Sequence, residues 1–71
     1  MSKFNELDTV ILKEKGPKRN ASAGQIGTIL EDYGKGEYEV EFCDDQGVTT
    51  ALGAYNEKQL QLHTRHKKTS N

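Results

Sequence analysis

The chain has one cysteine, one proline, no tryptophan and no run of 18 apolar residues. Each shortage removes a class of answer. A lone Cys43 excludes an internal disulfide, and no Cys/His cluster offers the ligand set of a structural zinc. Without a long apolar run no segment reads as a transmembrane helix, and "MSKFNELDTV" at the start lacks the apolar stretch of a signal peptide. A cytoplasmic protein with no membrane partner is therefore expected, a setting in which a free thiol is ordinary. No G-x-S-x-G, phosphate loop or metal cluster is visible. The expectation is a protein that is not an enzyme and has no cofactor.

What is present is a small, patterned set of apolar residues. They make up 32% of 71 residues, which allows one domain with a small core. "LDTVILKE", residues 7–14, reads as a first strand, and "KGPKRNASAG" breaks it with Gly16, Pro17 and Asn20. "QIGTILEDY" is a second strand whose interior Gly27 is expected to mark a bulge or bend. "GKG" makes a hairpin loop. "EYEVEFC" is the clearest signal, because Tyr38, Val40 and Phe42 alternate with Glu37, Glu39 and Glu41. "DDQG" supplies turn chemistry, "VTTALGA" a fourth strand, "YNEKQ" a single helical turn and "LQL" a closing strand. The fold expected is all-β: a small five-stranded barrel, closed or half open, with a short helical turn before the last strand. Residues 1–63 would form it, and residues 64–71, "TRHKKTSN", would be a disordered basic tail.

This order resembles the SH3-like barrel superfamily, whose plan is shared by the photosystem I small stromal subunit, the variable chain of ferredoxin–thioredoxin reductase and the nitrile hydratase β-subunit. More closely, "FNELDTVIL", "AGQIGTILEDY" and "YEVEF" resemble a small bacterial family known as a domain of unknown function. Its members read F-x-E-L-D-x-V-x-L, A-G-x-x-G-T-V and Y-x-V-E-F. The resemblance runs from Phe4 to Leu62, implies the fold, and brings no catalytic residue with it.

Charge is uneven along the chain although the formal net charge is −1. Residues 31–45 hold seven acids against Lys35 alone, while residues 13–19 hold Lys13, Lys15, Lys18 and Arg19 against Glu14. The G-x-x-G of Gly24 and Gly27 is used by KH domains, but between two helices, and the strand–turn resembles the KOW element of RNA-contacting proteins. Here the residues that follow are Glu31 and Asp32, which repel phosphate. Turn and bend geometry accounts for both glycines more simply. Glu37, Glu39 and Glu41, about 7 Å apart on one strand face, suit solvent or a basic docking partner but form no catalytic acid pair. Cys43 among acids is a poor nucleophile, and His63 with His66 gives only two metal ligands.

Tyr33 and Tyr55, at strand ends, read equally as exposed contact residues or as packing against the barrel. The function expected is a small protein-interaction module, contacting another protein through Lys13, Lys15, Lys18, Arg19, Tyr33 and Tyr55. Alternatives are a KOW-like nucleic-acid-binding barrel and a neutralising partner of a neighbouring toxin or enzyme. A monomer or weak homodimer fits either edge of so small a sheet.

Overall fold

The computed structural model describes residues 2–13 and 22–67. Five antiparallel strands form one sheet: β1 (Thr9–Leu12), β2 (Ile26–Gly34), β3 (Glu37–Cys43), β4 (Thr49–Asn56) and β5 (Leu60–Thr64). The all-β expectation and the strand count hold, but closure does not. The spatial order is β4-β3-β2-β1-β5, and no ladder joins β4 to β5, so the sheet is not closed into a barrel. A 3₁₀ turn over Glu57–Gln59 precedes β5, as the short polar segment suggests. Asn56 caps it: its Oδ1 accepts the Lys58 N–H, and Gln59 Oε1 accepts the Asn56 N–H, each at 2.9 Å.

The alternation of "EYEVEF" becomes the core. Tyr38, Val40 and Phe42 are buried with Val10 and Leu12 of β1, Ile29 of β2, Tyr55 of β4, Leu60 of β5 and Phe4. Burying each such side chain contributes about 1.5–3 kcal/mol, which makes this layer the main source of stability. Two edge-to-face aromatic pairs organise it, Phe4 on Tyr38 at 5.3 Å and Phe42 on Tyr55 at 5.2 Å between centroids.

Of the bulge and the bend expected at Gly27, the ladders exclude the bulge. Gly27 keeps register with Val10 on one side and Phe42 on the other. The irregularities in β2 come later, between Ile29 and Glu31 and between Asp32 and Gly34. What Gly27 provides is room. A Cβ there would lie 2.7 Å from the Phe42 ring and 2.8 Å from Val40 Cγ1. Any side chain would force the Phe42 ring and the Val40 side chain to shift. Gly24 does serve a turn: at φ +88° it adopts a conformation that residues with a Cβ avoid.

Residues 64–66, just past the expected boundary at His63, are held against the sheet, and residues 68–71 lie outside the described residues. β5 runs to Thr64, and the two residues after it dock on the buried carboxylate of Asp8. Arg65 Nη1 donates to Asp8 Oδ2 at 3.0 Å and the His66 N–H to Oδ1 at 2.7 Å. The Asn5 N–H donates to Oδ2 at 2.9 Å. Burial pushes the Asp8 carboxyl upward, but those N–H donors and the Arg65 guanidinium outweigh it and hold the group below its ordinary value. The turn leading into this site is strained, since Leu7 has φ +72° without being glycine.

Candidate functional site

The outer face of the sheet is decided by β3. Because Tyr38, Val40 and Phe42 point inward, Glu37, Glu39 and Glu41 share the opposite face. Each glutamate accepts a hydrogen bond from a neutral neighbour. Asn56 Nδ2 donates to Glu37 Oε2 at 3.0 Å, Tyr33 Oη to Glu39 Oε1 at 2.8 Å and Thr49 Oγ1 to Glu41 Oε2 at 2.5 Å. These donors orient the carboxylates without neutralising them. Among the described residues the one ion pair is Arg65 with Asp8, so none of the three has a cationic partner there.

Beside this row, strands β1 to β3 leave an open groove of about 510 Å³. Its middle is formed by Ile26, Thr28 and Thr9, and its acidic side by Glu41, Asp44 and Asp45, with Cys43 between. Ile26 is 46% exposed, an apolar side chain left open beside carboxylates. The β3–β4 turn holds Asp44 in place: its Oδ1 accepts the N–H groups of Gln46 and Val48, both at 2.9 Å. Gly47 at φ +82° completes the turn. A side chain with an aliphatic stem and a positive end matches this combination of apolar middle and acidic side.

The residues singled out from sequence divide. Lys13 is exposed at the end of β1, with its N–H donated to Gln59 O at 2.8 Å. Lys15, Lys18 and Arg19 lie outside the described residues. Tyr33 is exposed, and the Glu39 carboxylate that accepts its hydrogen bond raises its pKa. Tyr55 is fully buried against Phe42, so the packing reading holds for it and the contact reading does not. Lys13 and Tyr33 are not brought together. Ile26, near the Lys13 end, is seven residues from Tyr33 along β2, roughly 20 Å in a strand.

Sequence reasoning passes over Ile26, Thr28 and Asp8. The first two become a site only when β1, β2 and β3 are placed side by side. Asp8 does leave a signal: an acid at the head of an apolar strand is a candidate for burial.

Among the described residues no group of three or more His, Cys, Asp or Glu could hold a metal ion. No helix there is long and apolar enough to cross a membrane. Residues 6–62 match the model of a family described as Domain of unknown function (DUF4926). The chain belongs to that family. Searches of curated proteins and of solved structures find no match. The DUF4926 segment covers all five strands except the end of β5, and it contains the whole acidic row and groove. It contains Asp8 but not Phe4, Arg65 or His66, so part of what closes over Asp8 lies outside the matched segment.

Proposed function

We propose that this DUF4926 domain is a small, non-enzymatic, SH3-like protein-interaction module that takes a lysine- or arginine-bearing segment of a partner protein on its outer face. The observation that carries this is the acidic row, without a cationic partner among the described residues, beside the exposed Ile26 groove. Complementary charge would orient the partner, and the aliphatic stem of a basic side chain would cover Ile26. The basic loop, including Lys13, stands as a separate contact for an acidic part of the same partner. Binding to nucleic acid through the KOW-like strand–turn has less support, because Glu31, Glu39, Asp44 and Asp45 occupy the surface near it and phosphate binding needs cations.

The test is a pair of low-salt titrations followed by amide NMR, one with a lysine-rich peptide and one with single-stranded RNA. The peptide should shift Ile26, Thr28, Glu41 and Asp45. Glu39→Gln and Glu41→Gln should each weaken it by at most about fivefold, the range of exposed charge pairs. No shift with the peptide overturns the proposal. Shifts with RNA instead would move the assignment to the nucleic-acid class.

A further inference from the structure

Among the described residues both ends of the sheet are strands with one side unpaired, and β4 lacks the usual protections. Among the described residues β4 pairs only with β3. It is eight residues long, and residues 46–56 carry no charge and no proline in a chain that is 30% charged. Its single irregularity comes at Thr50, between the Cys43–Thr49 and Phe42–Ala51 pairs, leaving residues 51–56 in regular register. Edge strands are ordinarily blunted by lysine, proline, a bulge or shortness. Residues 51–56 have none of these.

The direction of the unused hydrogen bonds follows from the cap. The Asn56 N–H turns away from β3 to reach Gln59 Oε1. Antiparallel ladders alternate, so the N–H and C=O groups of Ala54 and Leu52 point the same way, toward the open side. Leu52 is 54% exposed, and Ala54 is exposed on the same outer face.

We infer that this edge pairs with a second copy of the chain, β4 antiparallel to β4 about a two-fold axis near Gly53. Self-pairing sets identical sequences opposite one another, and a charged edge would therefore oppose like with like. A neutral edge escapes this. Registers centred on Leu52, Gly53 or Ala54 keep outer face with outer face, placing Leu52 opposite Leu52, Ala54 or Asn56 of the second copy. All leave the acidic row of β3 one strand removed from the interface. A single strand-to-strand contact is small, so the dimer is weak and forms with rising concentration. This surface is separate from the groove across β1 to β3, and the two assignments fail independently.

Sedimentation velocity on the full chain, up to about 1 mM, tests it. The wild type should move from monomer toward dimer, Leu52→Lys with Ala54→Lys should remain monomeric throughout, and Gln61→Lys on β5 should behave as wild type. A wild type that stays monomeric overturns the inference, as does a dimer that survives the β4 lysines or is lost with Gln61→Lys. Should the double variant not fold, amide hydrogen exchange on the wild type decides. Leu52 and Ala54 N–H must slow as concentration rises, and unchanged exchange overturns the pairing.

Discussion

The two edge strands of this sheet are finished in opposite ways. β5 is short, carries Gln61 and His63 outward, and runs straight into Arg65 and His66, which tie the chain back to Asp8. β4 is longer, neutral and regular from Ala51 to its end. The contrast extends to the core beneath. On the N-terminal side, Tyr38 Oη accepts the N–H groups of Lys3 and Phe4 at 3.0 and 3.2 Å. Under β4, the Tyr55 hydroxyl is buried and has no hydrogen-bond partner among the described residues. The two rings lie opposite one another across the β3–β4 ladder, and among the described residues the hydroxyl on the β4 strand is the one left unsatisfied. The neutral edge and the unpartnered Tyr55 hydroxyl beneath it are both features of β4, the strand for which pairing with a second copy is proposed.

The strongest way to break that comparison is to remove the latch. Asp8→Ala takes away the acceptor for two backbone N–H groups and for Arg65, all at a carboxylate with no solvent exposure. Each orphaned donor costs about 1–3 kcal/mol, and Arg65, whose side chain is 49% exposed, can regain water. A loss of about 2–4 kcal/mol in urea unfolding is expected. Exchange should accelerate at Asn5 and His66 and remain unchanged at Ala54. A loss under 1 kcal/mol would mean that the latch is decorative.

Acid should open the same latch. The folded carboxyl lies below its ordinary value of 3.8, so its contribution is fully present above that pH. It is lost as pH falls through the lower folded value. Asp8→Asn, which cannot ionise, should flatten the stability profile in that window relative to wild type. A parallel profile for the two proteins would assign the acid sensitivity to other carboxylates.

How much of this was legible beforehand depends on whether the cause is local. The alternation Tyr38, Val40, Phe42 against Glu37, Glu39, Glu41 is a property of one strand, and it correctly separates core from outer face. The turns at Gly24 and Gly47 are equally local. Gly27 was not legible, since nothing in "QIGTI" says that the Phe42 ring, fifteen positions later, lies over it. Whether the barrel closes stayed open for the same reason: it depends on whether β4 meets β5, a pairing that neither strand encodes alone. The docking of Arg65 and His66 was not legible because "TRH" has no apolar residue, and the anchor of Arg65 is a charge fifty-seven positions earlier in sequence. Ile26 and Glu41 make a groove only through the β1–β2 and β2–β3 ladders. Tyr55 sits in an uncharged strand end that reads the same whether the ring turns in or out.

The smallest effect is also the most discriminating, because it compares one hydroxyl on each side. Tyr38→Phe removes the acceptor of two backbone donors, one of them the buried Phe4 N–H, and should cost about 1–2 kcal/mol. Tyr55→Phe removes a buried hydroxyl with no such partner, whose pKa burial alone raises. Its ring stays packed on Phe42, so only the penalty of an unsatisfied group is lost. Stability should be unchanged or rise by up to about 1 kcal/mol. Thermal unfolding of both single variants and of the double variant separates the cases. If Tyr55→Phe is as costly as Tyr38→Phe, the Tyr55 hydroxyl has a partner of its own. The β4 side would then be finished as completely within as the latched side, leaving the neutral edge as the only difference between them.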